Sequence, residues 1–313
     1  MNKFLVTGGA GFIGSNITDR LLKEGNFVRV LDNFSSGKRE NLTFAIKHKN
    51  FELIKGDIRN YSTCLKAVKG VKYILHQAAL RSVPKSMGNP YVYNDVNING
   101  TLNLLKASYE NKVKRFVFAS SSSIYGETDV FPEKETFIPE LISPYALTKL
   151  AGEYYCRIFS MNYKLETVSL RYFNVYGPRQ GLDDEYAVVV PKFITCMLNG
   201  QQPPIHGTGK QSRDFTYIDN VVDANILAAT KNGIKCEVLN IANNKDHTIL
   251  DLVRILNKIM AKNIKPKFTP IRLGDVLRTF ADISKARKTI GYKPRVGFEA
   301  GLRLTVEWFK LHL

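Results

Sequence analysis

The 313-residue chain is short of several residue types, and each shortage removes a class of protein. Only four cysteines occur, Cys64, Cys156, Cys196 and Cys236, with no Cys-x-x-Cys pair. That argues against a zinc knuckle or a dithiol redox site, so no metal is expected, and the four read as buried thiols of a cytosolic protein. No window approaches the roughly 20 apolar residues of a membrane-spanning helix. Met1-Asn2-Lys3 passes directly into Phe4-Leu5-Val6, too short an apolar stretch for a signal peptide. A soluble, cytoplasmic protein without a membrane partner is the expectation. There is no internal repeat and no low-complexity tract. Acidic residues are also scarce: 28 Asp and Glu against 45 Lys and Arg leave a net charge of +17. Such a charge raises nucleic acid, anionic membrane or a small polyanionic substrate as partners. The bias peaks between Arg254 and Arg295, where twelve basic residues face only Asp275 and Asp282. They are interspersed with apolar residues, as on a solvated surface, and no nucleic-acid partner is expected.

What is present is a globular composition. Hydrophobic residues make up 44% and charged residues 23%, enough for a sizeable core. Short apolar runs at Lys3 to Thr7, Phe27 to Leu31, Phe51 to Lys55, Tyr73 to His76, Arg115 to Ala119 and Thr167 to Tyr172 alternate with longer amphipathic stretches. Gly11 to Glu24, Pro90 to Asn111 and Pro144 to Tyr163 are each long enough to be the crossover helix between parallel strands. The pattern predicts an α/β, doubly wound parallel sheet. Beyond about residue 175 prolines punctuate shorter elements, which predicts a first domain over 1–175 and a smaller lobe over 176–313. Asp219 to Thr230 reads as a further helix and Val238 to Ile241 as a further strand, so a segment near 215–242 should return to the first domain.

Two places carry chemistry. Thr7-Gly8-Gly9-Ala10-Gly11-Phe12-Ile13-Gly14 closes the first strand and opens the first helix. Gly8, Gly11 and Gly14 then stand where a backbone must turn sharply, approach a pyrophosphate and pack on the sheet, as in a Rossmann fold. Asp32 ends the second strand, where a carboxylate accepts from both hydroxyls of an adenosine ribose and would repel a 2′-phosphate, so the expected cofactor is NAD. Asp57-Ile58 and His76-Gln77-Ala78-Ala79 fall at the same sheet edge, and His76 reads as a packed histidine rather than a catalytic one. The second place is Ser143-Pro144-Tyr145-Ala146-Leu147-Thr148-Lys149, a capped helix start with Tyr145 and Lys149 on one face. A phenol with an ordinary pKa of about 10 needs a nearby cation to act as a base near neutrality. Ser120, Ser121, Ser122 and Ser123, ending the preceding strand, bring hydroxyls to the same edge.

These motifs, together with Asn97-Ile98-Asn99-Gly100-Thr101, Arg171 to Arg179, Arg213-Asp214-Phe215 and Arg272-Leu273-Gly274-Asp275, resemble the extended short-chain dehydrogenase/reductase family, and within it the UDP-sugar 4-epimerases. The resemblance implies that Tyr145 takes the proton of the sugar 4-hydroxyl while NAD oxidises C4. It further implies that Ser121 relays that proton and that Lys149 binds the nicotinamide ribose. Phe12, Ile13, Asn33, Ser35, Gly37, Asp57, Ile58, Gln77, Ala78, Ala79, Asn97 and Tyr172 are the further cofactor residues it implies. For the substrate it implies Arg81, Ser121, Ser122, Ser123, Tyr145, Asn174, Val189, Lys192, Thr279, the diphosphate-binding Arg213 and Arg272, and Asp275 on the uridine ribose. Dehydratases of the family carry an Asp and a Glu where this chain has Ser122 and Ser123, which argues against water elimination.

Thr279 stands at a wall position that is large and aromatic in sugar-restrictive relatives, and a threonine leaves room for an N-acetyl group. Ala79 to Ser86 and Ala187 to Lys192 also look more like the UDP-N-acetylglucosamine 4-epimerases. The expected substrates are UDP-N-acetylglucosamine and its galacto epimer, with UDP-glucose and UDP-galactose second. A UDP-glucuronate 4-epimerase is the alternative, with Arg81 or Lys192 facing the carboxylate. A non-catalytic NAD- or RNA-binding protein is the reading from another class. The family usually dimerises through the helix bearing Tyr145, and Ala151, Tyr154, Tyr155, Ile158 and Phe159 give that helix apolar residues on more than one side, so a homodimer is expected.

Overall fold

The computed structural model describes residues 1–181, 189–271 and 276–313. In chain order the strands are β1 (Lys3–Thr7), β2 (Phe27–Asp32), β3 (Phe51–Lys55), β4 (Tyr73–His76), β5 (Arg115–Ser121), β6 (Glu166–Tyr172), β7 (Val175–Tyr176), β8 (Pro204–His206), β9 (Ser212–Asp214), β10 (Thr216–Tyr217), β11 (Cys236–Ile241), β12 (Asp246–Thr248), β13 (Lys267–Thr269) and β14 (Arg278–Thr279). The helices are α1 (Phe12–Lys23), α2 (Thr43–Ile46), α3 (Tyr61–Val68), α4 (Val83–Gly88), α5 (Pro90–Asn94), α6 (Gly100–Glu110), α7 (Pro144–Tyr163), α8 (Val189–Leu198), α9 (Ile218–Thr230), α10 (Ile249–Met260), α11 (Ser284–Ile290) and α12 (Phe298–His312).

Seven parallel strands form the central sheet in the order β11-β6-β5-β4-β1-β2-β3. This is the doubly wound sheet that the alternating pattern predicts. Side chains alternate across it with the period of a strand. Phe4 and Val6 of β1 enter the core that includes Ile17 and Leu21 of α1 and Ala224 and Ala228 of α9. Leu5 enters the opposite core, with Cys64 of α3, Leu104 and Leu105 of α6, and Cys156 and Phe159 of α7. Residues late in the chain complete the sheet layer, since β11 pairs with β6 and α9 packs on α1, β4, β5 and β6. The remaining strands make small sheets: β7 with β10, β9 between β12 and β14, and β8 with β13.

Local chemistry sets the ends of α7. Ser143 caps it by accepting from the Ala146 amide at 3.2 Å, Pro144 fills the first turn, and Lys164 closes it in the left-handed region. The stretch Pro90 to Asn111 is not one regular helix. It breaks into α5 and α6 around a π-turn at Asp95–Asn99, a distortion found mostly at functional sites. Among the described residues no helix is long and apolar enough to cross a membrane. Cys64 and Cys156 are buried, and all four thiols are free.

Candidate active site

The glycine turn is built for close approach. Gly8 takes φ +65°, and a Cβ there would stand 2.8 Å from the Ala78 backbone; a Cβ on Gly14 would reach 2.2 Å from the Gly8 carbonyl. Neither position tolerates another residue, so the start of α1 and the end of β4 close into a floor for a pyrophosphate. A cavity of about 370 Å³ opens above it. Gly8, Gly11, Phe12, Ile13, Gly14, Asp32, Asn33, Ser35, Gly37, Asp57, Ile58, Gln77, Ala78, Ala79, Arg81, Tyr145, Lys149 and Tyr172 all line it. All the sequence-predicted nucleotide residues but Asn97 are thus brought together, with Arg81 of the expected substrate set beside them.

Asp32 is buried, its carboxylate accepting from the Ala10 amide at 2.9 Å and the Phe34 amide at 2.7 Å. Burial pushes its pKa up while those two N–H groups pull it down. The remaining lone pairs are those a ribose diol would use, so the donor set fits NAD. Asp57 accepts from Asn33 at 2.9 Å and from Arg59, whose hydrogen bonds hold its pKa down at about 2. Arg59 also lines the cavity and reaches Asp95; sequence reasoning did not single it out. Tyr172 bonds Gln77 and Asn225 behind the cleft.

His76 lies between Thr7 at 2.7 Å and Thr101 at 2.9 Å, and burial pulls its pKa down to about 3. Thr101 gives its own proton to the Asn97 carbonyl, so the His76 Nε2 carries the ring proton. The residue is a neutral, satisfied histidine. Asn97, expected among the cofactor residues, does not line the cavity. Its amide is occupied by the Leu80 N–H and carbonyl and by Thr148, so from within the π-turn Asn97 clamps the loop at Leu80. Tyr93 completes that clamp by donating to the Arg81 carbonyl at 2.5 Å.

The reaction centre assembles at the end of β5. Ser121 is the hydroxyl partner of the Tyr145 phenol. Its oxygen accepts from the Ser123 amide at 3.1 Å. Ser120 bonds Glu153 instead, and the Ser123 hydroxyl is buried without a partner. Lys149 is buried, donates to the Ala119 carbonyl at 2.8 Å, and stands 5.8 Å from the Tyr145 ring centroid. Burial draws its pKa down to about 8. Burial pushes Tyr145 up, and the groups pulling it down are Ser121 and the charge of Arg81. Lys149 is directed to the strand carbonyl rather than to the phenol.

Three of the expected substrate residues, Asn174, Arg213 and Thr279, form a separate cluster around β9 and β14. Asn174 donates to Thr279 at 2.8 Å and to the Asp214 carbonyl at 3.3 Å, and Arg213 donates to the carbonyls of Ser212 and Leu277. Thr279 is buried, with its hydroxyl engaged by Asn174. Two buried carboxyl groups hold this wall: Asp214, named in the sequence only within its motif, accepts from Asn243 and Ala281, and Glu133, not singled out there, accepts from Phe280. Val189 and Lys192 lie on α8 outside the cofactor cavity. Arg272 and Asp275, with Ala187 of the expected acetamido-type stretch, fall outside the described residues. Among the described residues no group of three His, Cys, Asp or Glu could hold a metal ion.

Residues 4–242 match the NAD dependent epimerase/dehydratase family. A solved UDP-N-acetylglucosamine 4-epimerase from Methanobrevibacter ruminantium, in complex with UDP-N-acetylmuramic acid, is 42% identical with a TM-score of 0.95, covering 100% of this chain and 99% of that one. The UDP-glucose 4-epimerase of Mycolicibacterium smegmatis is 37% identical, covering 98% of each. A UDP-glucuronic acid 4-epimerase from Bacillus cereus, solved with UDP-glucuronic acid and NAD, is 35% identical with a TM-score of 0.92, covering 99% of this chain and 100% of that one.

Proposed function

The chain belongs to the NAD-dependent epimerase/dehydratase family, and from that membership we propose that it is a UDP-sugar 4-epimerase whose preferred pair is UDP-N-acetylglucosamine and UDP-N-acetylgalactosamine. The observation that carries the reading is Tyr145 facing Ser121 beside the dinucleotide cavity, with no carboxylate among the residues that follow Ser121 up to Gly126. A site with one acid–base phenol and no second carboxyl can move the O4 proton but has no pair of groups for eliminating water.

The cofactor is NAD, which supplies reversible oxidation at the sugar C4 when bound. Gly8, Gly11 and Gly14 hold its pyrophosphate, Asp32 its adenosine ribose and Lys149 its nicotinamide ribose. Tyr145 takes the proton from O4 and returns it after the 4-keto sugar has turned over. Ser121 donates to the phenol oxygen and steadies the O4 of the substrate. Arg213 takes the diphosphate, and Arg272 and Asp275 are assigned to the same nucleotide by resemblance. UDP-glucose and UDP-galactose form a second pair.

Support for the acetamido sugar comes from the small Thr279 and from the 42% identical neighbour named for that activity. One feature favours UDP-glucuronate as a second reading: the exposed Arg81 projects its charge onto Tyr145, where a C6 carboxylate would find a cation. We also infer a homodimer through α7. The deciding experiment incubates purified protein, without added cofactor, with UDP-N-acetylglucosamine, UDP-glucose and UDP-glucuronate and reads the epimer ratio by chromatography. Fastest turnover of the acetamido sugar is the expected result; turnover of UDP-glucuronate alone would replace this reading by the second. If all three remain unchanged after NAD is supplied, the epimerase reading fails.

A further inference from the structure

Several hydroxyls end β5, yet proton relay needs one of them held at a fixed place. The sheet register shows how the nearest of the others, Ser120, is removed. Ser120 pairs across the strands with Arg171, and Ser121 with Tyr172. By strand alternation Ser120 falls on the face of Phe116 and Phe118, the face α7 covers. On α7, Tyr145, Lys149 and Glu153 follow at intervals of four and share one side of the helix. Each fastens a different residue of β5: Tyr145 meets Ser121, Lys149 meets the Ala119 carbonyl and Glu153 meets Ser120.

Glu153 is the residue the mechanism leaves unused. It and Arg171 are both 5% exposed and form a two-point pair, Nε to Oε1 at 2.9 Å and Nη2 to Oε2 at 2.8 Å. Ser120 donates to the same Oε1 at 2.5 Å. The Arg171 guanidinium also lies 4.8 Å from the ring centroid of Tyr125. Burying such a pair returns little net stability, while its two parallel bonds restrict the geometry of both side chains. We propose that Glu153 is a positioning residue: by holding Ser120 and Arg171 together it fixes the end of β5, so that Ser121 and no other hydroxyl of the run faces Tyr145. This rests on the epimerase reading above for its consequence, and on the hydrogen-bond network for its geometry.

Ser120→Ala removes the hydroxyl while leaving the ion pair, and it is the variant that decides, because Glu153→Gln strands the Arg171 charge and invites misfolding. In the NAD-loaded protein Ser120→Ala should lower kcat by roughly tenfold or more with KM and bound NAD unchanged. It should also move the acid limb of the kcat profile to higher pH, since a loosened Ser121 no longer favours the phenolate. Ser120→Thr keeps a hydroxyl on the same face and should restore both. Phenolate absorbance at 295 nm, taken as the difference from Tyr145→Phe, follows the same midpoint without any turnover. An unchanged midpoint in Ser120→Ala, or Ser120→Thr as impaired as Ser120→Ala, overturns the positioning role. Wild-type protein silent on every UDP-sugar overturns the epimerase reading instead, and the absorbance titration still decides the role of Glu153.

Discussion

Arg81 and Lys149 are two cations near one phenol, and they differ in what surrounds them. Arg81 is exposed, so its pull on Tyr145 acts through solvent. Arg81→Ala should shift the acid limb of kcat upward by less than about one pH unit, and added salt should erase the difference between wild type and variant. A salt-insensitive shift would mean that Arg81 acts by contact rather than by charge. Lys149 is buried and its pKa falls to about 8. A lowered folded-state value means that the unfolded chain binds the extra proton between about 8 and 10.5, so the folded protein carries the full cost of the charge below pH 8 and regains stability as pH rises. Lys149→Met should therefore abolish turnover yet stabilise the NAD-free protein at pH 7, by up to roughly 3 kcal/mol. The gain should shrink above pH 8, and denaturant melts at pH 7 and 9.5 would show it. Loss of stability at both values would mean that the bond to the Ala119 carbonyl outweighs the buried charge.

At the level of elements, the substrate wall depends on carboxyl groups that should not all be charged. Burial pushes Glu133 to about 8 and Asp214 to about 7; each backbone N–H that Asp214 accepts pulls it back, and Glu133 feels Asp214 as a like charge and Arg213 and Arg278 as opposing ones. Both values lie above the ordinary carboxyl range, so the stability they contribute is present in acid and lost as pH climbs through about 7 to 8. Ionisation strengthens the bonds from the Phe280 and Ala281 amides but sets two like charges, stripped of water, behind Thr279. The expected result is a KM for the nucleotide sugar that rises between pH 7 and 9, while Glu133→Gln, which keeps an acceptor for the Phe280 amide, flattens the rise. A wild-type slope in Glu133→Gln would remove the clamp from the account. This is also where the sequence is least legible. The apolar runs of β1, β3 and β4 and the caps of α7 carry their own periodicity and end signals, and they match the structure. The strands β7, β9, β10 and β14 have two or three residues each, too few for any period. Glu133 and Asp214 hold the segment around β9 and β14, and the sequence alone does not show that folding buries them. Glu153 escaped notice for the same reason, and Asn97, read as a cofactor residue, holds Leu80 and Thr148 instead: a polar residue in a helix does not reveal a partner more than ten residues away.

Across the whole molecule, α7 buries one side and exposes another. Tyr155 and Phe159 pack on the core shared with α3 and α6. Leu147, Tyr154, Ile158 and Met161 are 53%, 55%, 44% and 59% exposed, at spacings of seven, four and three that put them on one stripe. Tyr109 of α6 is exposed as well and meets Tyr163 of α7 with ring centroids 5.0 Å apart, extending the stripe to a second helix. An apolar surface of two neighbouring helices suits a second copy of the same pair, because a two-fold axis sets each stripe against its own image. Sedimentation equilibrium should then return a dimer of twice 35.4 kDa, and Tyr154→Glu with Ile158→Glu should return a monomer, since burying four carboxylates per dimer against apolar surface is prohibitive. Neither residue lines the cofactor cavity, so the monomer should still retain NAD. A wild-type monomer at micromolar concentration, or a double variant that stays dimeric, would move the interface away from α7.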